Sequence, residues 1–138
     1  MRAEGAGEDG CRWCGDRRDE DEFGLRVWSG RVTDAYLSRR AVTRGCVFVV
    51  WRGRHIGEPI DLSPIESDLY HREVLTVARA IRDCFRPPAI DYLTRGDRGA
   101  HLHTHLAVRR PDDTEAEARL FSEEIWRADA AALKVLLH

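Results

Sequence analysis

Hydrophobic positions change period several times along this chain, and each change predicts an element. Leu25 to Trp28 and Val32 to Leu37 are short β-branched, aromatic and aliphatic runs separated by the turn-forming pair Ser29-Gly30, which predicts two strands. The polar, basic stretch Ser38 to Arg44 predicts a loop. Gly45 then leads into Cys46-Val47-Phe48-Val49-Val50-Trp51, a continuous apolar run of the kind found in buried strands. That run ends in Arg52-Gly53-Arg54-His55. Ser63-Pro64-Ile65-Glu66 combines a capping serine, a proline at the first helical position and a glutamate that completes a capping box. Behind it Ile65, Leu69, Val74, Leu75, Ala78, Ile81 and Phe85 form an apolar stripe. Pro87 and Pro88 stop the helix after about six turns at 3.6 residues each. His71 lies within it as an ordinary helix residue.

Ala89 to Thr94 predicts a further strand. Arg95-Gly96-Asp97-Arg98-Gly99 turns the chain back into His101-Leu102-His103-Thr104-His105-Leu106-Ala107, so the two runs predict an antiparallel hairpin. Arg109 to Asp113 reads as a loop, Glu115 to Trp126 as polar and partly helical, and Ala128 to Leu137 as a short terminal helix. The order β-β-β-α-β-β plus a C-terminal segment predicts an α+β fold, an antiparallel sheet of about five strands with one long helix on one face. Residues 1–10 read as a disordered tail, which leaves 11–138 as a single domain.

Composition narrows the class. A chain of 138 residues with 43% apolar content is long enough for a modest core. Charged residues make up 33% with both signs mixed, and the formal net charge is −2, which excludes a large basic nucleic-acid footprint. The run Cys46 to Trp51 is too short to span a bilayer, and Met1 to Gly10 lacks the apolar core of a signal peptide. A cytoplasmic location is therefore expected, with no membrane and no nucleic-acid partner. In that setting four cysteines read as thiols or metal ligands rather than disulfides.

Three of the six histidines fall in five residues, His101, His103 and His105. On a strand, all three imidazoles leave from one face, about 7 Å apart. Such a row suits metal ligation, phosphate contact or nucleophilic attack. Cys11-Arg12-Trp13-Cys14 is a C-x-x-C with no second pair: half of a zinc site, a redox pair, or two reduced thiols. A tetrahedral zinc would need two further ligands, for which histidines are the natural candidates. Cys46 and Cys84, in apolar surroundings, read as core thiols. Asp16 to Glu22 is a charge run and reads as a solvated loop.

The stretch His101 to Ala107 resembles the His-φ-His-φ-His-φ-φ signature of the histidine triad (HIT) superfamily. Leu102, Leu106 and Ala107 fill φ positions, Thr104 is half polar, and Val108-Arg109 is similar to the family's Pro-Arg without the proline. The glycine-led strand that runs to a basic residue and His55 also resembles the family pattern. The resemblance extends over roughly Cys11 to Trp126, close to a whole domain by size. It points to bacterial, actinobacterial-like members with a Cys2His2 zinc site.

The resemblance implies a HIT-like fold, a homodimer, and a hydrolase or nucleotidyltransferase that takes a nucleotide or nucleotide conjugate. His103 would attack the α-phosphate of a phosphoanhydride or phosphoramidate and form a covalent nucleotidyl-histidine. His105 would contact the phosphate and protonate the leaving group. Cys11, Cys14, His55 and His101 would hold a structural zinc. Ser38, Asp91, Asp97 and Arg98 stand at or near substrate-binding positions. Ser38 replaces a ribose-binding acid, Asp91 an asparagine, and Gly96-Asp97 a Gly-Asn pair, while Ala100 and Val108 replace flanking prolines. Asp97 would bring a carboxylate toward the phosphates. Arg95 and Arg98 flank the hairpin turn, where each could meet a polyphosphate or simply be solvated. Two other readings stay open. In one, Asp91 and Asp97 have abolished turnover and the protein is a nucleotide-binding or sensing module. In the other, His101, His103 and His105 form a three-His zinc hydrolase, although alternate residues on a straight strand converge poorly on one ion.

Overall fold

A computed structural model describes residues 11, 13–14, 17–110 and 117–137. The expectation for residues 1–10 falls outside them. The strands are β1 (Gly24–Ser29), β2 (Thr33–Ser38), β3 (Arg40–Ala41), β4 (Val47–Trp51), β5 (Ala89–Thr94), β6 (His103–Arg109) and β7 (Arg119–Leu120). Five of them form an antiparallel sheet in the order β1-β2-β4-β6-β5. The stretch Ser38 to Arg44, expected to be a loop, contributes β3, which pairs with β7 in a separate two-stranded ladder.

Alternation decides which face is which. On β6 the even positions Thr104, Leu106 and Val108 are buried while His103, His105, Ala107 and Arg109 are not. The even side meets the core, with Ala35, Leu37, Val47 and Val49 from β2 and β4.

Helix α1 (Pro64–Phe85) lies against this side and begins as its sequence requires. Glu66 N donates to Ser63 Oγ at 3.2 Å, and Ser63 N donates back to Glu66 Oε1 at 2.7 Å. Arg86 closes the helix in the left-handed region with φ 48°. The buried stripe is Tyr70, Val74, Val77, Ala78 and Ile81. Ile65, included in the expected stripe, is exposed because its turn runs beyond the core.

Helix α2 (Glu123–Leu137) opens at Glu123 rather than Ala128. Ile125 N donates to Ser122 Oγ at 3.2 Å, and two glutamates occupy the first turn, where the helix dipole favours them. Trp126, Ala130, Leu133 and Leu137, spaced four, three and four residues apart, join the same core. Two helices therefore cover one side of the sheet. Among the described residues no helix is long and apolar enough to cross a membrane.

Two polar clasps set the frame. The buried carboxylate of Glu73 on α1 accepts from Arg31 N at 2.7 Å, Val32 N at 3.2 Å and Thr33 Oγ1 at 2.7 Å, fastening the β1–β2 turn to the helix. A Cβ at Gly30 would collide with that carboxylate, so the turn needs a glycine. Described residues of the charge run after Cys14 stay largely exposed to solvent, yet several are paired. Arg17 grips Asp34 through two bonds of 2.8 Å, Asp19 pairs with Arg26, and Glu20 pairs with Arg127 of α2.

Candidate functional site

The side of the sheet away from the helices carries the candidate chemistry. Register puts Val50 opposite His103, and Phe48 between Tyr36 and His105. Trp13 covers part of this side. Trp13 lies 5.0 Å from the Tyr36 ring and 5.6 Å from Phe48, and Phe48 lies 5.8 Å from His105. The result is an aromatic wall on the β2–β4 side of the histidines. Beyond it a cleft of about 650 Å³ is lined by Glu22, Ser38, Arg39, Arg40, Phe48 and Leu120. Ser38 Oγ donates to the Arg40 carbonyl at 2.9 Å.

The three triad histidines do different things. His101 precedes β6 and is 3% exposed. Its Nδ1 lies 3.3 Å from Cys11 Sγ and 3.2 Å from Cys14 Sγ, and its Nε2 donates to the Trp51 carbonyl. His55 Nδ1 lies 3.1 Å from Cys14 Sγ. One ligand atom from each of Cys11, Cys14, His55 and His101 falls within 4.8 Å of the others.

This set fits zinc. Two thiolates and two imidazoles around a tetrahedral ion place sulfur and nitrogen about 3.6 Å apart, given bonds of about 2.3 and 2.05 Å. The observed pairs, at 3.1 to 3.3 Å, are near that edge. The Trp51 carbonyl fixes the His101 proton on Nε2 and frees Nδ1 as a ligand atom. Burial also holds the His101 imidazole below its ordinary pKa, in the neutral form a metal requires. A neutral His55 ligated through Nδ1 carries its proton on Nε2, which is buried without a partner among the described residues.

His103 and His105 stand apart from that cluster, which contains neither of them. Their rings pack edge to face at 4.9 Å, closer than strand spacing alone predicts. His103 Nδ1 donates to the His101 carbonyl at 2.9 Å, and its Nε2 lies 3.2 Å from His105 Nε2. Burial first, then the charges of His103 and Arg95, lower the His105 pKa. Thr104, the polar break in the apolar pattern, points the other way. It bonds the Tyr70 hydroxyl at 2.8 Å and Thr94 Oγ1 at 2.6 Å, and the Tyr70 hydroxyl donates to the Val49 carbonyl at 3.2 Å.

The remaining candidates are held by neighbours. Asp91 pairs with Arg109 at 3.0 Å. Asp97 accepts from Gly99 N at 2.9 Å, a local turn. Arg98 forms two 3.0 Å bonds with Asp61. The sequence reading missed Trp13, Tyr36, Phe48 and Asp34 as parts of this side. Continuing strand parity across β2 and β4 would have found three of them, and the position of Trp13 between two ligand-type cysteines would have flagged the fourth.

No family model matches the sequence and no curated protein matches it. Solved structures do. A histidine triad protein from Sinorhizobium meliloti aligns over 91% of this chain and 98% of its own with a TM-score of 0.76 at 21% identity. A hypothetical histidine triad nucleotide-binding protein from Sulfolobus tokodaii aligns over 82% and 83% with a TM-score of 0.68 at 18% identity. A zinc-bound histidine triad family protein from Mycobacterium smegmatis aligns over 82% and 86% with a TM-score of 0.62 at 23% identity. The chain has the α+β fold of these proteins.

Proposed function

We propose that this chain works as a histidine triad enzyme, in which His103 attacks the α-phosphorus of a nucleotide conjugate. The observation that carries the reading is the bond from His103 Nδ1 to the His101 carbonyl. A carbonyl only accepts, so Nδ1 holds the ring proton and Nε2 keeps its lone pair. In the contact between the two rings, His105 Nε2 is then the donor. One strand thus carries a nucleophile of fixed tautomer and an adjacent N–H that can meet a phosphate oxygen or protonate a departing atom. Attack forms the N–P bond while the bond from phosphorus to the leaving group breaks. Water then cleaves the N–P bond, releasing a nucleoside monophosphate and restoring the imidazole.

The nucleoside fits along Trp13, Tyr36 and Phe48, with Ser38 toward the sugar end. Asp91 and Asp97 favour an active site over a silent one, since each carboxylate is engaged elsewhere. Arg98 would have to leave Asp61 to reach substrate. Cys11, Cys14, His55 and His101 would fill all four positions of a structural zinc, whose chemistry here is cross-linking. That role disfavours a three-His hydrolase, because His101 is turned to the cysteines. The exposed Tyr92 and Leu93 on edge strand β5 suit a homodimer, and four cysteines with no disulfide among the described residues suit a cytoplasmic setting.

Rapid quenching with an adenylyl substrate, followed by intact-mass analysis, should reveal an acid-labile gain of one nucleotidyl group that His103→Ala abolishes. Tight nucleotide binding with neither adduct nor product across anhydrides and amidates would refute the enzyme and leave a binding module.

A further inference from the structure

One cation beside the histidines has no ion pair among the described residues. Arg95 follows β5 directly, one step past the last paired residues Thr94 and Thr104. Continued one residue past the end of β5, strand parity would give it the same side as Leu93, which lies opposite His105. It is exposed, and its charge acts on the His105 ring. Three acidic neighbours are engaged elsewhere. Asp91 pairs with Arg109, Asp61 with Arg98, and Asp97 accepts from Gly99 N. Glu58 packs against Gly96, and its field falls on Arg98.

Position gives this charge a direction. The aromatic wall lies on the β2–β4 side of His103 and His105, and Arg95 lies on the β5 side. A nucleoside on the wall directs the group it loses toward β5. There it meets a positive charge that has a hydrogen-bonding fork and, among the described residues, no ion pair of its own.

We propose that Arg95 selects for an anionic leaving group, so that the substrate is a nucleoside 5′-phosphoanhydride rather than a phosphoramidate; this rests on His103 being the nucleophile. In an anhydride, His103 Nε2 forms the N–P bond as the bridging P–O bond breaks. The bridging oxygen takes the electron pair and leaves as part of a phosphate or pyrophosphate, with Arg95 meeting the charge that develops. In a phosphoramidate, the P–N bond breaks and the nitrogen must take a proton from His105 to leave as an amine. Arg95 gives that departure no help.

The test compares Arg95→Gln, Arg95→Lys and the unmodified protein on adenosine diphosphate and adenosine 5′-phosphoramidate. The ratio of kcat/KM values, anhydride over amidate, should fall at least tenfold in Arg95→Gln and recover in part in Arg95→Lys. An unchanged ratio would overturn the proposal. Binding of inorganic pyrophosphate, measured by calorimetry on the same proteins, separates this proposal from the functional reading beneath it. If no protein turns over either substrate but pyrophosphate binds at least tenfold more weakly to Arg95→Gln, the enzyme reading fails and the anion site stands. Equal pyrophosphate binding in all three proteins removes the anion site itself.

Discussion

The hydroxyl chain beneath the histidine strand lends itself to a quantitative test. Tyr70 has one hydroxyl proton, and it goes to the Val49 carbonyl. Tyr70 must then accept from Thr104, and Thr104 from Thr94, so the chain runs one way from Thr94 to Val49. Burial pushes the Tyr70 phenol up to about 12, so it stays protonated at any working pH. Tyr70→Phe removes the bond to Val49 and strands the Thr104 proton unless it swings to Thr94, at a cost of about 1 kcal/mol. Thr104→Val breaks the chain at its centre, but it gains a buried methyl and leaves the exposed Thr94 to water, so its net cost is about 0.5 to 1 kcal/mol. The double variant removes the shared bond only once and replaces both partners with apolar groups. It should lie about 1 kcal/mol above the sum of the two single losses. Urea unfolding of the four metal-replete proteins measures this as a coupling of about 0.5 M in midpoint for a slope near 2 kcal/mol/M. Turnover should stay within about twofold throughout, because Thr104 projects from the opposite side of β6 to His103 and His105. Additive losses, with coupling below about 0.3 kcal/mol, would refute the one-way chain.

Other expectations follow from the two histidine groups and the charges around them. Protein purified without chelator should hold about one zinc per chain on four-ligand grounds, and Cys11→Ala and Cys14→Ala should each lose it; undiminished metal in both would sink the cluster. His103→Ala should abolish turnover with zinc content unchanged, while His105→Ala should slow poor leaving groups more than good ones, read from a leaving-group series. Burial would raise the Asp34 pKa, but bonds from Arg17 and Ser29 and the charge of Arg52 outweigh it, so the folded value is low. Its stabilisation is present above the unfolded value of about 3.9 and lost as pH falls through the folded value, so Asp34→Asn should flatten the acid limb of a stability–pH curve. His105 also titrates lower when folded, so stability should decline as pH drops below about 6.5, and His105→Gln should remove that part. Sedimentation at micromolar concentration should give a dimer that Tyr92→Lys weakens, and a wild-type monomer would count against the β5 edge as an interface.

Local signals were the most legible part of the fold. The Ser63 capping box, Pro64 and the paired prolines fixed both ends of α1 because capping is decided by adjacent backbone groups. The strict alternation around the histidines placed His103 and His105 correctly for the same reason. What the sequence hid was pairing between distant segments. Nothing near Ser122 announces that Trp126 fills a core beneath Leu37, so the start of α2 was misjudged. The pairing of the exposed acids Asp19 and Glu20 was hidden because their partners, Arg26 and Arg127, are found only once the sheet and α2 are in place. Asp97 looked like an intruder at the phosphates because a one-residue reading cannot see its bond to Gly99 N. The three histidines were expected on one face, yet His101 lies before the strand begins and turns into the cysteine cluster.

That cluster also sets an order in time. Its ligands come from positions 11, 14, 55 and 101, and a chain made from its N-terminus presents them in that sequence. The cysteine pair emerges first and can offer only two thiolates. His55 becomes available after β4 has been made, and the last ligand arrives only with the residues that lead into β6. Full coordination is therefore impossible on a nascent chain that stops before His101. A cell that counts chains with all four ligands engaged is counting molecules whose synthesis has reached the carbonyl that His103 Nδ1 meets in the finished fold. Truncated products that stop before position 101 would exchange their metal freely and stay open to proteolysis.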